Sequence, residues 1–118
     1  MTDNPREPAR DPQDLERLLV ERQRAGDIDG ILELFEPDAV VDTDDGGLVR
    51  GHTALRAYFE GLAAKGRRFQ VGVQQPALTN GDLALTSTRS VSGSVTAEVA
   101  RRQPDGTWRW IIDQYEIA

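Results

Sequence analysis

Two acidic residues interrupt apolar, strand-like sequence in the C-terminal third of the chain. Glu98 stands between Ala97 and Val99, and Asp113 between Ile112 and Gln114, with Tyr115 following. A carboxyl set mid-strand beside apolar residues needs a reason to be there. General acid/base chemistry is one, because a carboxyl shielded from water keeps its proton to higher pH. Asp113 is the firmer candidate. Glu98 depends on which face of the sheet it takes; the other reading has it facing solvent or pairing with Arg89 or Arg109 across the sheet. Asp42 closes the short apolar run Ala39-Val40-Val41. In a regular strand Val41, Thr43 and Asp45 share one face, and Val40, Asp42 and Asp44 the other. Asp42 therefore reads either as a base facing a pocket or, with Asp44 and Asp45 beside Gly46-Gly47, as part of a solvated turn. Tyr58 and Tyr115 offer phenols, and Thr86 and Thr88 offer hydroxyls on one strand. Core packing and β-propensity account for these four equally well.

Other chemistries are closed off by what is missing. The chain has no cysteine, so disulfides, thiolate nucleophiles and cysteine-based zinc sites are excluded. It has a single histidine, His52, which reads as a helix-start or surface residue. The usual transition-metal sites need several imidazole or thiolate ligands. The expectation is a site without metal or cofactor.

The chain is 118 residues long, the size of one domain, with a net charge of −6 and a pI near 4.7. That balance argues against nucleic acid as a partner and against docking on anionic lipid through basic residues. No apolar run approaches the ~20 residues of a membrane span. Residues 1–10 are polar, carry Pro5 and Pro8, and lack the apolar run of a secretory signal. They read as a disordered arm before a domain spanning 11–118, and the expected location is the cytoplasm.

The elements that must position the acids are legible from periodicity. Asp11-Pro12-Gln13-Asp14 starts a helix whose apolar positions are Leu15, Leu18 and Leu19, and Ala25-Gly26 ends it. Asp27 caps a second helix carrying Ile28, Ile31, Leu32 and Phe35, stopped by Pro37. A short hairpin over residues 39–50 follows. A third helix then opens at His52 or Thr53 with the stripe Leu55, Tyr58, Phe59 and Leu62, and ends at Gly66. The remainder reads as a four-stranded meander: 69–79 broken at Pro76, a tight turn at Asn80-Gly81, then 83–90, 94–102 and 108–117. Helices segregated from antiparallel strands mean an α+β fold, and strands this long should twist and curl around the helices.

Arg24-Ala25-Gly26-Asp27-Ile28-Asp29-Gly30-Ile31-Leu32-Glu33-Leu34-Phe35, then Pro37-Asp38-Ala39-Val40-Val41 and Gly51-His52-Thr53-Ala54-Leu55-Arg56, resemble the nuclear transport factor 2-like superfamily. Within it the resemblance is to bacterial ketosteroid isomerases and SnoaL-type polyketide cyclases. The run from Thr96 to Trp110 resembles a mostly uncharacterised bacterial branch. The likeness extends from Asp11 to Ile117 and implies a cone-shaped curved sheet with one internal pocket. The superfamily hosts many activities, so it specifies fold better than function.

The resemblance also implies roles. The isomerase base falls on Thr43 without a gap and on Asp42 with a one-residue shift. The protonated acid falls on Glu98. By family register Ile111, Asp113 and Tyr115 point into the cone, making Glu98 and Asp113 neighbours in one apolar pocket. Two such carboxyls cannot both ionise easily, so one holds its proton. The isomerase tyrosine falls on Leu19, which can donate no hydrogen bond, so the two-donor isomerase site is absent as such. Phe35, Tyr58 and Phe59 would line the closed end, with Thr86 on the wall. Trp108, Trp110 and Ile112 would alternate onto the convex face with Leu83 and Leu85. Superfamily members usually dimerise through that face, so a homodimer including Trp110 is expected. The function expected is a cofactor-free acid/base isomerase or cyclase for a small apolar carbonyl compound; the alternative is a non-catalytic ligand-binding or dimerisation domain.

Overall fold

Asp11 and Asp14 organise the start of the first helix. Asp11 Oδ1 accepts from the Gln13 N–H at 2.9 Å, and Asp14 Oδ2 accepts from the Arg10 and Asp11 N–H groups at 3.2 Å each. These carboxylates satisfy backbone donors that a helix start would otherwise leave open. Helix α1 (Asp14–Arg24) then buries Leu15, Leu18 and Leu19. The computed structural model describes residues 6–43 and 47–118. Residues 6–10, inside the expected disordered arm, lie against the body. Arg6 pairs with Asp27 and Glu33, Ala9 is 3 % exposed, and its carbonyl accepts from the Trp108 N–H at 2.7 Å. Asp44 and Asp45 lie outside the described residues.

Asp27 caps α2 (Ile28–Leu32), accepting from the Gly30 N–H at 3.0 Å. The helix stops at Leu32, short of the Phe35 that the spacing includes in it. Phe35 instead opens β1 (Phe35–Asp42), which pairs in parallel with the last strand. Its ring lies 5.3 Å from that of Trp110, and burial there outweighs the helical periodicity.

After β2 (Leu48–Arg50), helix α3 (Gly51–Ala64) buries Leu55, Phe59 and Leu62. The remaining elements are β3 (Val73–Gln74), β4 (Leu78–Asn80), β5 (Leu83–Thr86), β6 (Thr88–Arg89), β7 (Ala97–Arg102) and β8 (Trp108–Gln114). Six of the strands form a sheet in the order β2-β1-β8-β7-β5-β4, antiparallel except for β1 and β8; β3 and β6 form a separate pair. The long strand read across Pro76 is therefore two short ones, with β4 at the sheet edge, where proline is tolerated. In the hairpin between β4 and β5, Asn80 stays paired with Leu83, and Gly81 carries the positive φ of 61°.

The decisive irregularity is in β8. Val99 faces Ile112 and Ala100 faces Trp110, so Ile111 is an extra residue against β7. One extra residue reverses the alternation. Trp108 and Trp110 are consequently buried on the same side as Asp113 and Tyr115, while Ile112 is 51 % exposed on the other. This corrects the expected faces: Trp110 is 1 % exposed in the core, not on the convex surface, and Ile111 is the bulge residue.

Candidate functional site

Helix α1 crosses the concave side of the sheet and brings Glu16 and Leu19, one turn apart, to the same face. Helix α3 brings Tyr58 and Phe59, β7 brings Glu98, and β8 with its extension brings Asp113 and Tyr115. These residues, with Val41 and Phe69, line a cavity of about 290 Å³ open at one end. That is at the small end of ligand-binding pockets.

Glu98 is 3 % exposed and faces Asp113 directly across the strand pair. Its Oε1 accepts from the Thr86 hydroxyl at 2.6 Å, and Thr86 Oγ1 in turn accepts from the Trp110 indole N–H at 3.2 Å. Burial pushes the Glu98 carboxyl up, while the Thr86 and Thr96 hydroxyls pull it back by bonding the ionised form. Asp113 is half-buried and opens onto the cavity. Burial, then the charges of Glu98 and Glu16, holds its proton well above the usual carboxylate range. Burial, then the charge of Glu98, pushes Glu16 up to about 7. Three carboxyls thus share one space in three environments. Among the described residues no group of three His, Cys, Asp or Glu side chains is placed to hold a metal ion.

The structure sorts the residues named from sequence. Asp113, Glu98, Leu19, Tyr58, Phe59 and Tyr115 all border the cavity. Thr86 stands behind Glu98 as its hydrogen-bond donor. Phe35 is fully buried between Trp110 and Phe59, at 5.3 and 6.1 Å between ring centroids, and belongs to the core rather than the cavity lining. Asp42 does not join the acids. It pairs with Gln114 and shares the face of Val40, whereas Val41 and Thr43 are buried on the inner side. Thr43, in the base position of the gap-free register, directs its hydroxyl to the Gly47 carbonyl at 2.9 Å. Glu16 is the cavity acid that sequence reasoning missed. Its signal was available: it lies one helical turn before Leu19, a position already expected at the pocket.

This curved sheet, filled on one side by helices and closed over a cavity, defines an NTF2-like protein with a cystatin-like fold. The chain belongs to the SnoaL-like domain family, which matches residues 15–118. Solved structures are similar across most of the chain. An NTF2-like protein with a cystatin-like fold from Novosphingobium aromaticivorans is 23 % identical, with a TM-score of 0.64, over 86 % of this chain and 75 % of that one. A candidate dehydratase of the NTF2-like family from Streptomyces avermitilis is 16 % identical, with a TM-score of 0.71, over 86 % and 90 %. A candidate calcium/calmodulin-dependent protein kinase type II association domain from Thiobacillus denitrificans is 17 % identical, with a TM-score of 0.73, over 94 % and 96 %. At these identities the likeness carries the fold alone. No curated protein matches the chain. Among the described residues, no helix is long and apolar enough to cross a membrane.

Proposed function

We propose that the protein is a cofactor-independent proton-transfer enzyme, an isomerase or polyketide-type cyclase, acting on a small and largely apolar carbonyl compound. One observation carries the reading: Glu16, Glu98 and Asp113 border one cavity, and burial there raises the proton affinity of all three. Carboxyls that share a cavity but differ in their surroundings can divide acid and base roles between them. Asp113, whose burial and acidic neighbours favour the protonated form, donates a hydrogen bond to the substrate carbonyl oxygen. Glu16, titrating near 7, takes the proton α to that carbonyl. An enolate conjugated with a double bond is then reprotonated by Glu16 at its far carbon, which gives isomerisation, or the enolate carbon attacks a second carbonyl whose oxygen takes the proton back from Glu16, which gives cyclisation. Glu98 acts on both through its charge. Tyr58 and Tyr115 orient the substrate against the wall that Leu19 and Phe59 supply. Asp42, on the outer side, has no part in it. Homodimerisation through the convex sheet face belongs to the same proposal.

The test is exchange of α-hydrogen for deuterium, followed by NMR in D₂O across a panel of small ketones and enones. The wild-type chain is expected to accelerate exchange of at least one compound. Asp113→Asn and Glu16→Gln should each slow it by about 100-fold or more, the range of single acid/base groups. Undiminished exchange in both variants would sink the assignment.

Leu19 favours the second reading, a non-catalytic ligand-binding domain, since it replaces a hydrogen-bond donor with an aliphatic wall. That reading expects saturable binding of such compounds with no exchange by the wild-type chain.

A further inference from the structure

The charges around the cavity are sorted by depth. Glu16, Glu98 and Asp113 lie inside among Leu19, Val41 and Phe59; Arg67 and Arg68 are exposed at the mouth. The chain has 20 acidic against 14 basic residues, and Arg6, Arg17, Arg56, Arg101 and Arg102 all pair with carboxylates. Arg68 has no carboxylate partner among the described residues. An arginine with no carboxylate partner among the described residues, standing at the mouth of a cavity in an acidic chain, is available to an anion.

The backbone that carries the two arginines is held rather than loose. The Arg67 N–H donates to the Leu62 carbonyl at 3.0 Å, closing the end of α3. Gln23, buried on α1, donates from Nε2 to the Arg67 carbonyl at 2.7 Å and accepts at Oε1 from the Phe69 N–H at 2.8 Å. Arg24 adds a bond from Nη1 to the Phe69 carbonyl at 3.0 Å. Both flanks of Arg68 are therefore tied to the helix that also carries Glu16. Across the mouth, Ser90 shares hydrogen bonds with Ser92 and Ser94 at 2.8 and 2.7 Å, a polar rim. Thr88, which lines the cavity at 4 % exposure, has a hydroxyl without a hydrogen-bond partner among the described residues. Glu116 is the one acidic residue at the mouth among the described lining, against the two arginines.

We infer that the substrate is an amphipathic carboxylate, whose apolar carbonyl end enters the cavity and whose carboxylate stays at the mouth on Arg68. The inference rests on the acid/base reading of the same cavity and adds the substrate's charge and orientation. A carboxylate pushed inside would meet Glu98 and its neighbours and be repelled. At the mouth it meets the Arg68 guanidinium, whose forked donors suit it. The two ends of the cavity thus impose a single direction of binding.

Calorimetric titration of the whole chain with 4-phenylbutanoate and its uncharged counterpart 4-phenylbutanamide tests this. The carboxylate should bind about tenfold or more tightly than the amide, the contribution of one charge-assisted pair. Raising NaCl from about 20 to about 300 mM should erode that preference and leave the amide unchanged. Arg68→Gln should bring the ratio close to one without altering amide affinity or melting temperature. Equal binding of the two compounds by the wild-type chain overturns the inference while leaving the cavity's acid/base role intact. A preference that survives the double variant Arg67→Gln, Arg68→Gln also overturns it. Binding of neither compound overturns it together with the reading on which it rests.

Discussion

Glu16 sits where a helix acid is usually solvated, yet α1 turns it toward the sheet and its proton is held to about 7. Its ordinary value is 4.5, so the folded chain binds this proton more tightly than the unfolded chain does. Stability is therefore fullest below about 4.5, falls as pH rises through the window up to about 7, and levels off above it. At about 1.4 kcal/mol per tenfold change in proton affinity, less screening by solvent in the cavity, the loss is on the order of 2 kcal/mol. Asp113 acts in the same direction. Glu16→Gln should flatten part of the slope in urea melts taken from about pH 4.5 to pH 8; an unchanged slope would show that Glu16 is solvated. Glu98→Gln removes the charge that raises both of the other acids, so the acidic limb of any activity profile should move to lower pH. Asp113 and Glu98 were legible because strand acids among apolar neighbours are uncommon. Glu16 was passed over despite its place one turn before Leu19, since α1 mixes Asp14, Glu16 and Glu21 with Arg17, Arg22 and Arg24 and reads as a solvated charged face. The alternation of β1 had set Asp42 opposite Val41, and the structure shows that Val41 faces the cavity; what sequence left open was the gap in register.

Periodicity located the three helices, the turns and most strands, because each carries its own apolar spacing. It failed where pairing between distant strands overrides local pattern. Phe35 has helical spacing from Ile28, Ile31 and Leu32 but is drawn into β1 by Trp110. The bulge at Ile111 is the larger case. Trp108, Trp110 and Ile112 alternate without a flaw in sequence, and nothing local marks the extra residue. The bulge lets one strand serve two inner surfaces: Trp110 with Phe35 in the core, and Asp113 with Tyr115 at the cavity. Trp110→Ala should therefore behave as a core truncation and cost about 3–5 kcal/mol. Chemical denaturation should show this as a lower midpoint. A loss below about 0.5 kcal/mol, the range of surface changes, would place Trp110 outside the core. Deleting Ile111 restores regular pairing and leaves Trp110, Asp113 and Tyr115 all facing inward, whereas inserting one residue between Ile112 and Asp113 would turn Asp113 and Tyr115 outward, so a folded insertion variant, unlike the deletion, should lose cavity binding.

With the helices gathered on the concave side, the opposite face of the sheet is left with a continuous apolar row. Cross-strand register aligns Leu78, Leu85, Val99, Ile112 and Val40, with Leu78 70 %, Leu85 46 % and Ile112 51 % exposed, and Leu83 beside them at 46 %. A row of this kind on a one-layer sheet is a surface that calls for a cover. In the proposed homodimer a second copy of the chain would supply one of matching shape, since a two-fold pairing sets the row against itself. Trp110, first assigned to this face, is removed from it by the bulge; Ile112, Leu83 and Leu85 stay. The two roles separate in experiment. Sedimentation velocity at micromolar concentration should give a dimer, and Ile112→Lys or Leu85→Glu should give monomers that keep their fold and cavity binding. Each copy carries a net charge of −6, so added salt should tighten the association by screening the repulsion between copies. A wild-type chain that sediments as a monomer at both low and high salt would refute the dimer and leave the row without its proposed cover.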